Sequence, residues 1–207
     1  FRVKLNDYSK ESNGCDYNLI RYKALTQLEN QGIDINSYKY DVLLIPNLGC
    51  NWSGLGHLGC QYYCASWIQG VNWNLVYTHE LGHNISMHHA ATDPENDGVT
   101  NSEYGDKSCP MGNVLSKGYF NAPHSNQMSW VNGTNEYVKG ITEKTGEYSL
   151  PSYGPSNGKP IIYRFTKDKK YYLSYRVQGD FDKINESYTK GVSLYYYGPG
   201  AKTHYVK

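Results

Sequence analysis

The chain has 207 residues, enough to bury one substantial core or one core with a smaller packed lobe. Its 20 Lys and Arg against 19 Asp and Glu leave a formal net charge of +1 without a basic run, which excludes the charge signature of nucleic-acid or acidic-membrane binding. No apolar stretch is long enough to span a bilayer, and FRVKLNDYSK lacks the charged-then-apolar pattern of a signal peptide.

The first predicted element is a helix. DYNLIRYKALTQLENQG places Tyr17, Ile20, Ala24 and Leu28 on one stripe, with Asp16 as N-cap and Gly32 as the stop. KYDVLLIPN reads as a buried strand closed by Pro46. LGCNWSGLGHLGC, with four glycines and two cysteines, predicts a tight, cross-linked loop, and QYYCASWIQG a second strand. Cysteines 15, 50, 60, 64 and 109 are many for a reducing compartment, so disulfides and secretion are expected, and the odd count leaves at least one cysteine without a partner in this chain. Sequons at Asn51, Asn84, Asn132 and Asn185 agree with export.

Next comes LVYTHELGHNISMHHA, residues 75–90, which holds four of the seven histidines. If residues 75–84 are helical, His79 and His83 stand at i and i+4 and project from one face toward a single ion. Glu80 is rotated around the helix, beside the ligands and placed to act as general base. A third ligand is needed, and His89 lies six residues beyond His83, past a bend; His88 competes for the role. Three neutral imidazoles make an open, catalytic set, since structural zinc is usually closed by four protein ligands. Asp93, Glu95, Asn96 and Asp97 hint at calcium but fit no EF-hand spacing. Met111 follows in a Gly and Pro-rich turn. His57 and His204 read as packing or surface residues, and His124, near a helix start after a proline, as structural with substrate contact as the alternative.

The tail changes character. Eleven of the 22 tyrosines lie between Tyr148 and Tyr205, and GEYSLPSYG, KPIIYRFTKD, KKYYLSYRVQG and KGVSLYYYG read as four strand-like runs of an antiparallel sandwich. It carries no cluster of acid, base or ligand groups, so its role is packing or recognition, with one tyrosine face buried and the other exposed for a glycosylated polymer.

HELGHNISMHH followed by SCPMGN resembles the metzincin zinc peptidases, whose HExxHxxGxxH string precedes a methionine turn under the metal. WSGLGHLGC, EYGDKSCPMGN and FNAPHSNQMSW are similar to the gametolysin family, secreted peptidases that dissolve protein-rich walls and matrices. The likeness covers roughly residues 40 to 130, and the tail more loosely. It implies an α+β fold: a metzincin-like domain with a twisted mixed sheet and active-site helix over residues 1–134, then a β-rich region over 135–207. It also implies zinc on His79, His83 and His89, Glu80 as general base, Met111 as the floor of the site, and a substrate strand on an edge near residues 61–67. The expected partner is an extended protein or glycoprotein, with a propeptide or inhibitor as another occupant of the cleft, and a monomer is favoured. One departure stands out: Ser86 occupies the family's glycine position, so either Ser86 takes a left-handed conformation at a cost of about 1 kcal/mol or Asn84 builds the turn instead.

Overall fold

The computed structural model describes residues 1, 2, 4, 15–70, 73–112, 117–130, 138–141, 145–153 and 162–207. Its contacts divide the chain into two compact units, Phe1–Ser86 and Met87–Lys207. The domain border expected at 134/135 falls within 131–137, outside the described residues.

The first unit opens with helix α1, Tyr17–Asn30. Asp16 caps it as expected: its carboxylate accepts a hydrogen bond from the Leu19 N–H at 3.0 Å, satisfying one of the donors that a helix start leaves unpaired. Gly32 ends it with φ +78°, a left-handed conformation that glycine takes without a Cβ penalty. A three-stranded sheet follows, built from β1 (Tyr40–Ile45), β2 (Gly54–Gly56) and β3 (Cys64–Gln69) in the order β1-β3-β2. Strand β3 is parallel to β1 and antiparallel to β2, and all six of its residues are buried. Ile20 from α1 joins Ile45, Ala65 and Trp67 from the sheet in one apolar core. The Cys15–Cys50 and Cys60–Cys64 disulfides staple this unit.

Here the structure corrects the expectation for residues 61–67. Residues 64–67 of that segment lie in the central strand, and the edges are β1 and β2, the latter a three-residue strand inside the stretch read as a loop. Its Gly-Leu-Gly sequence carries no side-chain alternation by which a strand is recognised. Helix α2, Trp73–Asn84, packs on β2 and β3.

The second unit contains one six-stranded mixed sheet. It is formed by β4 (Ala90–Thr92), β5 (Val138–Gly140), β6 (Ile162–Thr166), β7 (Lys170–Tyr175), β8 (Val192–Tyr197) and β9 (Thr203–Tyr205) in the order β4-β9-β8-β7-β6-β5. The three central pairings are antiparallel, whereas β4 with β9 and β5 with β6 are parallel. A second sheet facing it, as the expected sandwich requires, is not found among the described residues of this unit. Three of the four strand-like runs became strands; GEYSLPSYG did not, and contributes only an isolated bridge from Ser152 to Tyr175. Short helix α3, Ala122–Gln127, begins at Asn121, whose side chain accepts from the His124 N–H.

The tyrosines are core rather than display. Of the eleven between 148 and 205, Tyr153, Tyr163, Tyr171, Tyr172, Tyr195 and Tyr196 are buried, four are half-buried, and Tyr148 alone is exposed. The expected exposed aromatic face is therefore not present on them.

Candidate metal and active site

Helix α2 sets two stripes. Val76, Glu80 and Asn84, four residues apart, are all buried, while His79 and His83 form the neighbouring stripe with ring centroids 4.8 Å apart and nearly perpendicular planes. Asn84 fixes the end of the helix. It accepts from the Ser66 hydroxyl at 2.8 Å and donates to the carbonyls of His57 at 3.0 Å and Ala65 at 3.3 Å. With its amide consumed in this way, Asn84 is no candidate for glycan attachment.

Glu80 is 5 % exposed, and burial pushes its carboxyl up to about 8. Strand β2 lies against it with nothing but backbone. A Cβ on Gly54 would stand 2.5 Å from Glu80 Oε1, and one on Gly56 would stand 2.7 Å from the Glu80 carbonyl and 3.0 Å from Oε2. Any side chain facing the helix there would displace the carboxylate.

The helix ends in a tight turn. The His83 carbonyl accepts from the Gly59 and Ser86 N–H groups, both at 2.8 Å, and Ser86 itself takes φ +71°. Serine thus occupies the left-handed conformation, and Asn84 remains helical. Beyond this turn His89 comes close to the first two histidines: one donor atom from each of His79, His83 and His89 lies within 4.8 Å of the others, a group that could hold a metal ion. His88 is outside the group. The three residues lie within eleven positions of continuous chain, and neutral imidazoles at this separation suit a borderline cation such as zinc.

His89 is tied down on its other side. Its Nδ1 is 2.8 Å from Glu103 Oε1, which also accepts from Lys202 Nζ at 2.9 Å, and its ring packs 4.2 Å from that of Tyr104. The hydrogen bonds from Lys202 and His89 hold the Glu103 carboxyl below the usual carboxylate range. The Ala90 N–H, one residue after His89, donates to the Met111 carbonyl at 3.0 Å, so the fully buried methionine turn is anchored next to that histidine.

The remaining expectations divide clearly. His124 is fully buried, with Nδ1 3.7 Å from the thiol of Cys109, the one cysteine outside a disulfide; His204 is buried and stacked on Tyr196; His57 packs on Trp67. Asp93 accepts from the N–H groups of Asp97 and Gly98 and from the Tyr196 hydroxyl. Its carboxylate is engaged by the turn, and no group of three His, Cys, Asp or Glu side chains that could hold a metal ion gathers there among the described residues. A cavity of about 850 Å³ lined by Ile20, Ala24, Val42 and Leu44 is built from α1 and β1 and contains none of these site residues.

Gly54, Gly56 and Glu103 were not foreseen. Alternate glycines within a short strand are a faint signal of close backbone approach. Nothing in the local pattern marks Glu103, which lies 14 residues beyond its partner. A family model described as gametolysin peptidase M11 matches residues 34–200. No curated protein and no solved structure matches the chain.

Proposed function

This chain belongs to the gametolysin family of metallopeptidases, and on that premise we propose that it is a secreted zinc-dependent endopeptidase that hydrolyses peptide bonds of extracellular, cell-wall or matrix proteins. The observation that carries this reading is the grouping of His79, His83 and His89, with the Glu80 carboxylate on the adjoining stripe of the same helix as the first two. Two disulfides fit an oxidising compartment, and among the described residues no helix is long and apolar enough to cross a membrane.

His79, His83 and His89 would hold the ion, and zinc bound there supplies Lewis acidity toward the scissile carbonyl and its attacking water. Glu80 takes the proton from that water as it attacks and delivers it to the departing amine. Gly54 and Gly56 leave the carboxylate room while excluding slack around it. The side of β2 away from β3 has no strand partner among the described residues, so an extended substrate can add there by main-chain hydrogen bonds, beside Glu80.

The test is cleavage of casein and of a matrix protein, with and without a zinc chelator, by the native protein and by variants. Glu80→Ala is expected to retain one zinc per chain and lose nearly all hydrolysis, whereas His79→Ala, His83→Ala and His89→Ala lose the metal. Wild-type cleavage by Glu80→Ala, or chelator-resistant cleavage by the native protein, would dismiss the assignment.

A further inference from the structure

Three backbone segments meet around the His89 side chain, and each contributes one member of a polar chain. His89 directly precedes β4. Glu103 sits in a turn bound to that strand: the Thr92 N–H donates to the Ser102 carbonyl at 2.9 Å and the Asn101 N–H donates to the Thr92 carbonyl at 2.9 Å. Lys202 directly precedes β9, which pairs with β4 through Ala90 and Thr203, and the Thr203 N–H donates to the His89 carbonyl at 3.2 Å. The relative positions of the imidazole, the carboxylate and the ammonium are therefore set by main-chain hydrogen bonds rather than by the ion pairs themselves.

The chemistry of the contact is directional. A carboxylate only accepts, so the 2.8 Å contact requires a proton on His89 Nδ1. A neutral ring protonated at Nδ1 carries its lone pair on Nε2. Lys202 Nζ, at 2.9 Å from the same Glu103 oxygen, holds that carboxylate as a second donor.

We propose that Glu103 is a positioning residue for His89, fixing its ring orientation and the tautomer that offers Nε2 to a cation, with Lys202 holding Glu103 in place. This rests on the reading of the three histidines as metal ligands. Outer partners of this kind typically change metal affinity by about 10 to 100-fold when removed. As a surface ion pair the contact contributes little to folding: the Glu103 side chain is 46 % exposed, so water screens it. Metal affinity and apo-protein stability should therefore separate.

The experiment titrates zinc-stripped full chain with Zn²⁺ against a chromophoric chelator and records thermal unfolding of the metal-free protein. Glu103→Ala is expected to bind one zinc about 10 to 100-fold more weakly, with unchanged metal-free stability. Glu103→Gln, which retains an accepting oxygen, should lose less, and Lys202→Met less than Glu103→Ala. If Glu103→Ala binds zinc as tightly as the native chain, or if its metal-free form is destabilised in step with its lost affinity, the positioning role is overturned. Failure of the native chain to bind zinc, or undiminished binding by His89→Ala, would instead remove the histidine site itself, so the two failures are distinguishable.

Discussion

Ser86 shows how one residue records a constraint that its own chemistry resists. At φ +71° an L-residue crowds Cβ against the following carbonyl, a cost of about 1–2 kcal/mol that glycine avoids. The surrounding turn enforces the conformation, because the His83 carbonyl takes both the Ser86 and Gly59 N–H groups. The facing Gly59, at φ +69°, would bring an added Cβ to 2.8 Å from Ser86 Oγ. Ser86→Gly should therefore raise stability by about 0.5–1 kcal/mol, the steric relief being partly offset by the greater freedom of glycine in the unfolded chain. Gly59→Ala should destabilise, and less so in the Ser86→Gly background. Chemical denaturation of the four proteins measures the coupling; strictly additive effects would show that the two residues do not press on one another.

At the level of elements, the pairing of β2 with α2 depends on the absence of two side chains. The Cβ of Gly54 would meet the ends of the Val76 and Glu80 side chains, which can give way, whereas that of Gly56 would meet the Glu80 carbonyl, which cannot. The two alanine substitutions should consequently differ. Gly54→Ala is expected to keep the fold and the zinc while moving the Glu80 carboxylate, so that kcat on a short peptide falls with metal content unchanged. Gly56→Ala is expected to push strand from helix and lower thermal stability. Calorimetry, metal analysis and peptide kinetics on both variants provide the check, and full activity in Gly54→Ala would mean that Glu80 is not confined by the strand.

Across the molecule, the tail belongs to the compact unit that begins at Met87, since its last strand, β9, pairs with β4 immediately after His89. Its aromatic side chains fill that unit: Tyr153, Tyr172 and Tyr195 cluster with Ala122 and Ile162, and Tyr195 is fully buried. Tyr195→Ala should lower stability by about 3–5 kcal/mol, in the range for truncating a large buried ring, and should reduce cleavage of a soluble peptide and of an insoluble glycoprotein matrix together. Tyr148→Ala, at the exposed member, should leave both rates alone. A loss confined to the matrix substrate would restore a recognition role for these tyrosines.

What the sequence determined by itself was local. Asp16 and Gly32 bracket α1 because capping and a left-handed stop are properties of a few adjacent residues. His79 and His83 share a face because four positions make about one helical turn. Glu80 falls beside them for the same reason. The apolar runs of β1 and β3 announced strands, although not their order. Tertiary structure decided what depends on segments distant in the chain. Whether residues 64–69 lie at the centre or edge of the sheet was settled by β2, whose glycines carry no pattern. Which of two adjacent histidines joins the first pair was settled by the turn at Ser86 and the hydrogen bonds that follow it. The choice of Glu103 as partner for His89, and the burial of the tail tyrosines on both faces, depend on strand pairings that bring residues 90–92, 102 and 203–205 together. Periodicity reports the geometry of one backbone segment with itself, and hydrogen bonding between separate segments has no counterpart in it.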